Sequence, residues 1–220
     1  NTLALAKRYQ DWPIIDRAYE MARARSELEL RQLKVSISDL EHFQKVLSLL
    51  LYPHRSLRAE PAVLAENSRG QSSLWPHAIS GDHPILLIRI EREEDSSVVE
   101  ELLKAHTYWR NRRMKIDLVV LNMKETGYSQ ELQNHLHRLI SRTNNDTWLN
   151  QRGGIFLLRA DQMSQSEIVL LQTVARVILD GKKGPLSRQL ERIQKVSTYL
   201  PAFGPTPPEE AAPSAQPVER

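Results

Sequence analysis

The chain has 220 residues, of which 40% are hydrophobic and 26% charged, with a formal net charge of +3 and no cysteine. This composition is typical of a globular protein with a core, and the missing cysteine excludes disulfides, thiolate metal sites and a cysteine nucleophile. The small, dispersed positive charge argues against nucleic-acid binding. No apolar run approaches ~20 residues, which argues against membrane insertion by this chain.

Helical periodicity dominates the first part of the chain. It predicts helices over 2–9, 14–33 and 61–67, and one that runs from a capping box at Ser38–Glu41 to Leu51. The chain opens on Asn1 in what reads as the middle of a helix, which is typical of a fragment. We therefore predict that residues 1–83 form a helical linker region, which ends in the loop Ile-Ser-Gly-Asp.

Short aliphatic strands alternate with amphipathic helices in the second part. Strands are predicted over 84–90, 115–122 and 153–159. The predicted helices begin at Ser97, Ser129 and Ser164, and capping boxes mark Ser97 and Ser164. The last of these helices is predicted to end near Gly181. Nearly continuous apolar strands favour a parallel sheet that is covered on both faces. The expected fold is α/β, with a small three-stranded parallel βαβαβ unit within residues 84–200.

The end of the chain changes composition. A further helix is predicted over 185–196. From Pro201 onward proline, alanine, serine and glutamate dominate, so we predict a disordered linker or tail over 201–220.

A βαβαβ unit invites a nucleotide-binding hypothesis, but the loops oppose it. The acidic run Glu91–Asp95 follows the first strand where a glycine-rich phosphate loop would lie, and neither phosphate-binding glycine motif occurs. The histidines lack the spacing of a metal site, and no nucleophile elbow is present. We predict no cofactor, no metal and no catalytic residue.

Polar residues follow the predicted strands and form the first candidate site. In parallel sheets, ligands bind at the carboxyl ends of the strands, where this chain carries Asn122, Arg159 and Asp161. These residues predict a strand-end crevice that binds a polar ligand. The alternative is that they cap helices and solvate loops.

Several motifs of the chain occur together, and in the same order, in one family. Leu-Trp and Ile-Ser-Gly-Asp-His-Pro-Ile lie within 74–85, and Leu-Tyr-Pro lies at 51–53. Asn-Ser-Arg-Gly-Gln-Ser lies at 67–72, Ala-His-Thr-Tyr-Trp-Arg at 105–110 and Gly-Gly-Ile-Phe-Leu-Leu-Arg-Ala-Asp-Gln at 153–162. From about Leu3 to Gln194 the chain resembles the cyclic β-1,2-glucan synthases. It departs from them at His77-Ala78, where the family often has an aromatic residue and a glycine.

The resemblance implies that the chain is an internal, non-catalytic segment of a synthase that makes cyclic β-1,2-glucan from UDP-glucose. The C-terminal half of that family is related to the cellobiose-phosphorylase-like enzymes. It also implies a place at the cytoplasmic face of the bacterial inner membrane, with neighbouring modules of the same polypeptide as partners. None of the family's catalytic positions matches a residue of this chain. The alternative is a stand-alone carbohydrate-active or ligand-binding α/β domain that uses the strand-end crevice.

The loop before the first strand is the second candidate site, and β-1,2-glucan would be its ligand. Trp75 is expected to stack on a sugar ring, His77 and Ser80 to bond hydroxyl groups, and Asp82 to supply a carboxyl group. The alternative is structural. Ser80, Gly81 and Asp82 suit a tight turn, and Trp75 suits a core.

Overall fold

The computed structural model describes residues 2–124, 129–191 and 193. Its N-terminal region is helical, with α1 over Thr2–Arg8, α2 over Trp12–Gln32, α3 over Ile37–Leu51 and α4 over Pro61–Glu66. A seven-residue 3-10 helix, Gln71–His77, precedes the first strand. The N-terminal helical region predicted from the sequence is therefore confirmed.

Four parallel strands form the sheet, in the order β3-β2-β1-β4. They are β1 over Ile85–Ile90, β2 over Asp117–Asn122, β3 over Ile155–Arg159 and β4 over Val177–Asp180. The α/β class and the parallel sheet are confirmed, but the strand count of three is wrong. The helix predicted to run from Ser164 to Gly181 ends at Val174, and β4 follows it.

The order of the strands creates a switch point. The chain moves outward from β1 to β2 to β3, and then returns across the sheet to place β4 on the other side of β1. Open α/β sheets bind ligands at such reversals, outside the carboxyl ends of the strands. Here the reversal lies between β1 and β4, where Arg89 and Asp180 are register partners.

Strand residues alternate between two cores. Leu86, Ile88 and Ile90 face the side covered by α3, by α5 over Ser97–Asn111, by α6 over Ser129–Arg142 and by α8 over Leu186–Glu191. We name this side the α5 face. Ile85 and Leu87 face the other side, the α7 face, with α7 over Gln165–Val174 and the 3-10 helix. Burial on both faces explains why the strands are nearly continuous apolar runs.

Helix starts agree with the sequence only in part. The capping box between Ser164 and Glu167 is confirmed, with Ser164 N donating to Glu167 Oε2 over 2.8 Å. The first capping box joins Ser36 to Asp39, two residues before the predicted start. No capping box opens α5, because the 3-10 turn Glu93–Ser96 leads directly into it.

The two ends of the chain differ in how far the structure tests them. Of the helix predicted over 185–196, residues Leu186–Glu191 are observed as α8. Pro185 and Ile193 are bends, and the other predicted positions lie outside the described residues. The predicted tail 201–220 also lies outside the described residues. Residues of α3 and of the sheet contribute to one core. The predicted domain boundary between residues 83 and 84 stays a prediction. No helix in the described ranges is both long and apolar enough to cross a membrane.

Candidate functional site

The turn of the second candidate site and the strand-end crevice lie at opposite ends of the parallel strands. Ser80 and Asp82 come just before β1, at the amino edge. Asn122, Arg159 and Asp161 end β2 and β3, or follow β3, at the carboxyl edge. Ser80 and Asp82 therefore lie across the sheet from these three residues.

The loop at the amino edge is a hydrogen-bonded turn. Gln71 Nε2 donates to the Ser80 carbonyl over 2.8 Å and lies 3.4 Å from Asp82 Oδ1, while Asp82 Oδ2 pairs with Arg152. Ser80 Oγ accepts from the Asp82 amide over 3.2 Å. Gly81 adopts a φ of 78°, which a side chain rarely tolerates. The tight turn expected at 80–82 is therefore present.

The other two residues of the loop site have different surroundings. His77 Nε2 lies 3.4 Å from Glu167 Oε1 in the first turn of α7. The pKa of Glu167 is lowered, mainly by hydrogen bonds from Ser164 and to a lesser degree by His77. Trp75 is 63% exposed, although the adjacent Leu74 is buried. The core interpretation of Trp75 is therefore wrong, and its ring is accessible to a ligand.

The residues at the carboxyl edge bond to one another and to α6. Asn122 is buried, donates to Gln133 Oε1 over 3.2 Å and accepts from the Lys124 amide over 3.0 Å. Arg159 donates to Asp161 through Nε over 3.0 Å and through Nη2 over 2.6 Å, and this pairing raises the pKa of Arg159. These contacts favour the structural alternative at this edge.

Two buried polar residues near the amino edge were not predicted. His106 Nε2 lies 3.0 Å from the Ile116 carbonyl and 3.1 Å from the Gly153 carbonyl, and burial lowers its pKa to about 4. The ring is therefore neutral at pH 7, and Nε2–H is the donor. Asp117 Oδ1 accepts from the Gly153 amide over 2.7 Å, and burial raises the pKa of Asp117. Both side chains fix the chain just before β3.

A serine, a histidine and a glutamate meet where α5 begins. Ser96 Oγ lies 2.9 Å from His135 Nε2, and His135 Nδ1 lies 3.5 Å from Glu93 Oε2. The order of contacts is that of a hydrolase triad. However, the serine hydroxyl donates to the Glu93 carbonyl over 2.6 Å, so the imidazole must donate to Ser96. Ser96 is also only 7% exposed, and the arrangement is a link between α5 and α6.

The crevice between the ends of β1 and β4 is filled by the chain itself. A Cβ atom added to Gly181 would lie 2.8 Å from both Asp95 Cβ and Ile90 Cδ1. Lys182 pairs with Glu91 across the same gap. The acidic loop therefore occupies the place where a nucleotide phosphate would lie. Within the described residues, no group of three or more histidine, aspartate or glutamate side chains is placed to hold a metal ion.

Comparison with known proteins relates the chain to a bacterial synthase. No protein-family model matches the chain. It is 33% identical over 206 residues to the cyclic beta-(1,2)-glucan synthase NdvB of Rhizobium meliloti (strain 1021), and the match covers 90% of the chain. The chain is related to this synthase. It spans only 7% of the length of that relative. The resemblance predicted from the motifs is thus confirmed over most of the chain.

Proposed function

We propose that the chain is a non-catalytic structural segment of a cyclic β-1,2-glucan synthase and that it positions the adjoining modules of the same polypeptide. The 33% identity to NdvB supports the proposal that the parent protein is a cyclic β-1,2-glucan synthase. The parent would make cyclic β-1,2-glucan from UDP-glucose with other modules, one of them phosphorylase-like. It would act at the cytoplasmic face of the bacterial inner membrane.

The observation that carries this proposal is the exposed helix α2. It has 21 residues and none of them is buried. Ile14, Ala18, Met21 and Leu28 recur at spacings of three, four and seven, and therefore form one apolar stripe along the helix. Met21 is 66% exposed and Leu28 57%. A cleft of about 680 Å³ runs beside the first half of the stripe, between Tyr9 and Met21. A long apolar stripe of this kind suits an interface with another module.

A paired substitution in the full-length synthase tests the interdomain role. Met21→Ser/Leu28→Ser is expected to lower the rate of cyclic glucan synthesis several-fold. The proposed interface would bury both side chains, and burying one such side chain contributes about 2 kcal/mol. The purified 220-residue chain with the same changes should keep its unfolding midpoint, since both residues are exposed in it. Synthesis is measured at equal abundance of the parent and the variant.

Glu20→Ser/Arg31→Ser is the matched control, because both residues are exposed and lie on another side of α2. It places serine at the same number of helical positions but leaves the stripe intact. Normal synthesis by Met21→Ser/Leu28→Ser, or an equal loss in the control, would contradict the interdomain role.

The exposed ring of Trp75 favours a second candidate function, contact with the glucan. Linear β-1,2-gluco-oligosaccharides are titrated into the purified chain, and binding is followed by calorimetry and tryptophan fluorescence. Saturable binding is expected that Trp75→Ala abolishes, because aromatic rings supply much of the apolar contact in such sites. Trp12→Ala is the control, since Trp12 is 74% exposed on α2. The contact would be refuted if no heat of binding were seen at about millimolar sugar; a millimolar dissociation constant corresponds to a binding free energy of roughly 4 kcal/mol.

A further inference from the structure

A cleft of about 810 Å³ opens on the α7 face, beside the switch point. One wall is the segment 53–64, which contains the 3-10 turn Arg55–Leu57 and α4. The other wall is formed by the carboxyl halves of β1 and β4, with Arg89, Ile178 and Asp180. We name it the arginine cleft. Its volume lies within the range of small-molecule sites.

Positive charge exceeds negative charge in the arginine cleft. Four cationic and two acidic side chains line it: Arg55, Arg58, Arg89, Lys183, Glu60 and Asp180. Asp180 is already satisfied, because Oδ2 accepts from Arg89 Nη2 over 2.8 Å and Oδ1 accepts from the Lys182 amide over 3.0 Å. The side chains of Arg55, Lys183 and Glu60 make no hydrogen bond or ion pair to any other described residue. Apart from the Arg89–Asp180 pair, three cations therefore face one carboxylate, because Arg58 bonds only to a neutral carbonyl.

Both partly buried guanidinium groups are anchored but not saturated. Arg58 Nη2 donates to the Thr173 carbonyl over 2.9 Å, and Arg89 Nη2 donates to Asp180. The Nε atoms of Arg58 and Arg89 are buried and have no protein partner. A buried donor without an acceptor is unfavourable, so each group gains from an added acceptor. Planar guanidinium groups suit phosphate and carboxylate oxygens in particular.

The position of the arginine cleft agrees with the topology of the sheet. Arg89 and Asp180 are register partners on the two strands between which the winding reverses. The gap outside the strand ends is closed by Gly181 against Asp95. The open space has therefore moved from the usual crevice onto the α7 face, where α4 lies against α7 and forms its outer side.

We propose that the arginine cleft binds a small ligand that carries an oxyanion, either a phosphate or a carboxylate. Arg55 and Lys183 supply unpaired charge, and Arg58 and Arg89 supply oriented donors. The site lies on the sheet, apart from the α2 stripe and from Trp75. It therefore stands or falls independently of the interdomain function.

Calorimetric titration of the purified chain with sodium phosphate, and separately with sodium succinate, tests the proposal at constant ionic strength. One of the two anions is expected to bind saturably, and the tighter one identifies the oxyanion. Arg55→Gln/Lys183→Gln should weaken the affinity at least about tenfold, because a charged hydrogen bond is worth about that factor. Both residues are exposed and unpaired, so this variant should stay folded.

Two further variants separate a site from general charge. Arg31→Gln/Arg138→Gln removes two exposed cations elsewhere and should leave the affinity unchanged. Arg89→Gln/Asp180→Asn removes a guanidinium group without changing the net charge, and should also weaken binding about tenfold. The proposal would be overturned if neither anion bound saturably at concentrations up to about 10 mM, because a weaker dissociation constant means negligible affinity. An equal loss in the Arg31/Arg138 control would overturn it as well.

Discussion

Lowering the pH from 6.5 to 4 is expected to remove about 3 kcal/mol of unfolding free energy through His106. The folded state holds the pKa of this ring at about 4, mainly because burial disfavours the charged form, whereas the ordinary value is 6.5. Between those two values the unfolded chain binds a proton that the folded chain does not. Stability from His106 is therefore complete above pH 6.5 and is lost as the pH falls towards 4.

His106→Gln isolates this effect, because a glutamine amide can still donate to the carbonyls of Ile116 and Gly153 but does not titrate. Urea unfolding at pH 4.5 and 7.5 measures the difference for the parent and the variant. Asp117 acts in the opposite direction, since its raised pKa favours the folded state at low pH, and it is unchanged in both proteins. His137→Gln, at an exposed position, is the control. A pH dependence as steep in His106→Gln as in the parent would refute the assignment.

Gly154→Ala is expected to destabilise the chain by about 3 kcal/mol, through overlap that cannot relax. The added Cβ would overlap the Trp148 carbonyl oxygen and lie 2.7 Å from the Gln151 carbonyl oxygen. Both obstacles are backbone atoms, and the Gly154 carbonyl accepts from the Leu118 amide over 2.9 Å. Movement of Gly154 would therefore disturb the pairing of β2 with β3.

Gly70→Ala provides the comparison, because a Cβ atom there meets nothing within 4 Å and the backbone φ of −105° suits any residue. Its unfolding free energy should stay within about 0.5 kcal/mol of the parent. Urea unfolding of both variants, followed by circular dichroism, measures the difference. Similar stability of the two variants would show that the turn before β3 can move.

The sequence predicted those elements whose signals are local. Strands β1, β2 and β3 are apolar runs bounded by polar or glycine residues, and the structure has all three. Strand β4 was missed because Val177 and Leu179 follow α7 after Ala175-Arg176, without a glycine or proline to mark the end of the helix. Ala175 has an extended backbone conformation, with φ −60° and ψ 127°. No residue type at this point of the sequence predicts that change from helix to extended chain.

The site was predictable to a smaller extent for the same reason. The turn at Gly81 follows from its neighbours in sequence, and the structure has it. The contact of His77 with Glu167 joins residues that are far apart in the chain, and so does the arginine cleft. The cleft also depends on β4, because the position of the switch point is unknown until the fourth strand is placed. His106 carried a usable signal, since it lies on the apolar stripe of α5 with Val99, Leu102 and Trp109.

The packing of α3 on α8 has a consequence for synthesis on the ribosome. Lys45 Nζ donates to the Leu190 carbonyl over 2.9 Å, and the two residues are 145 positions apart in the sequence. At roughly 5–20 residues per second, α8 emerges about 7 to 30 seconds after α3. During that interval α3 lacks its contacts with α8, although β1, α5 and β2 are already made. One side of α3 therefore stays uncovered in the nascent chain until translation passes α8.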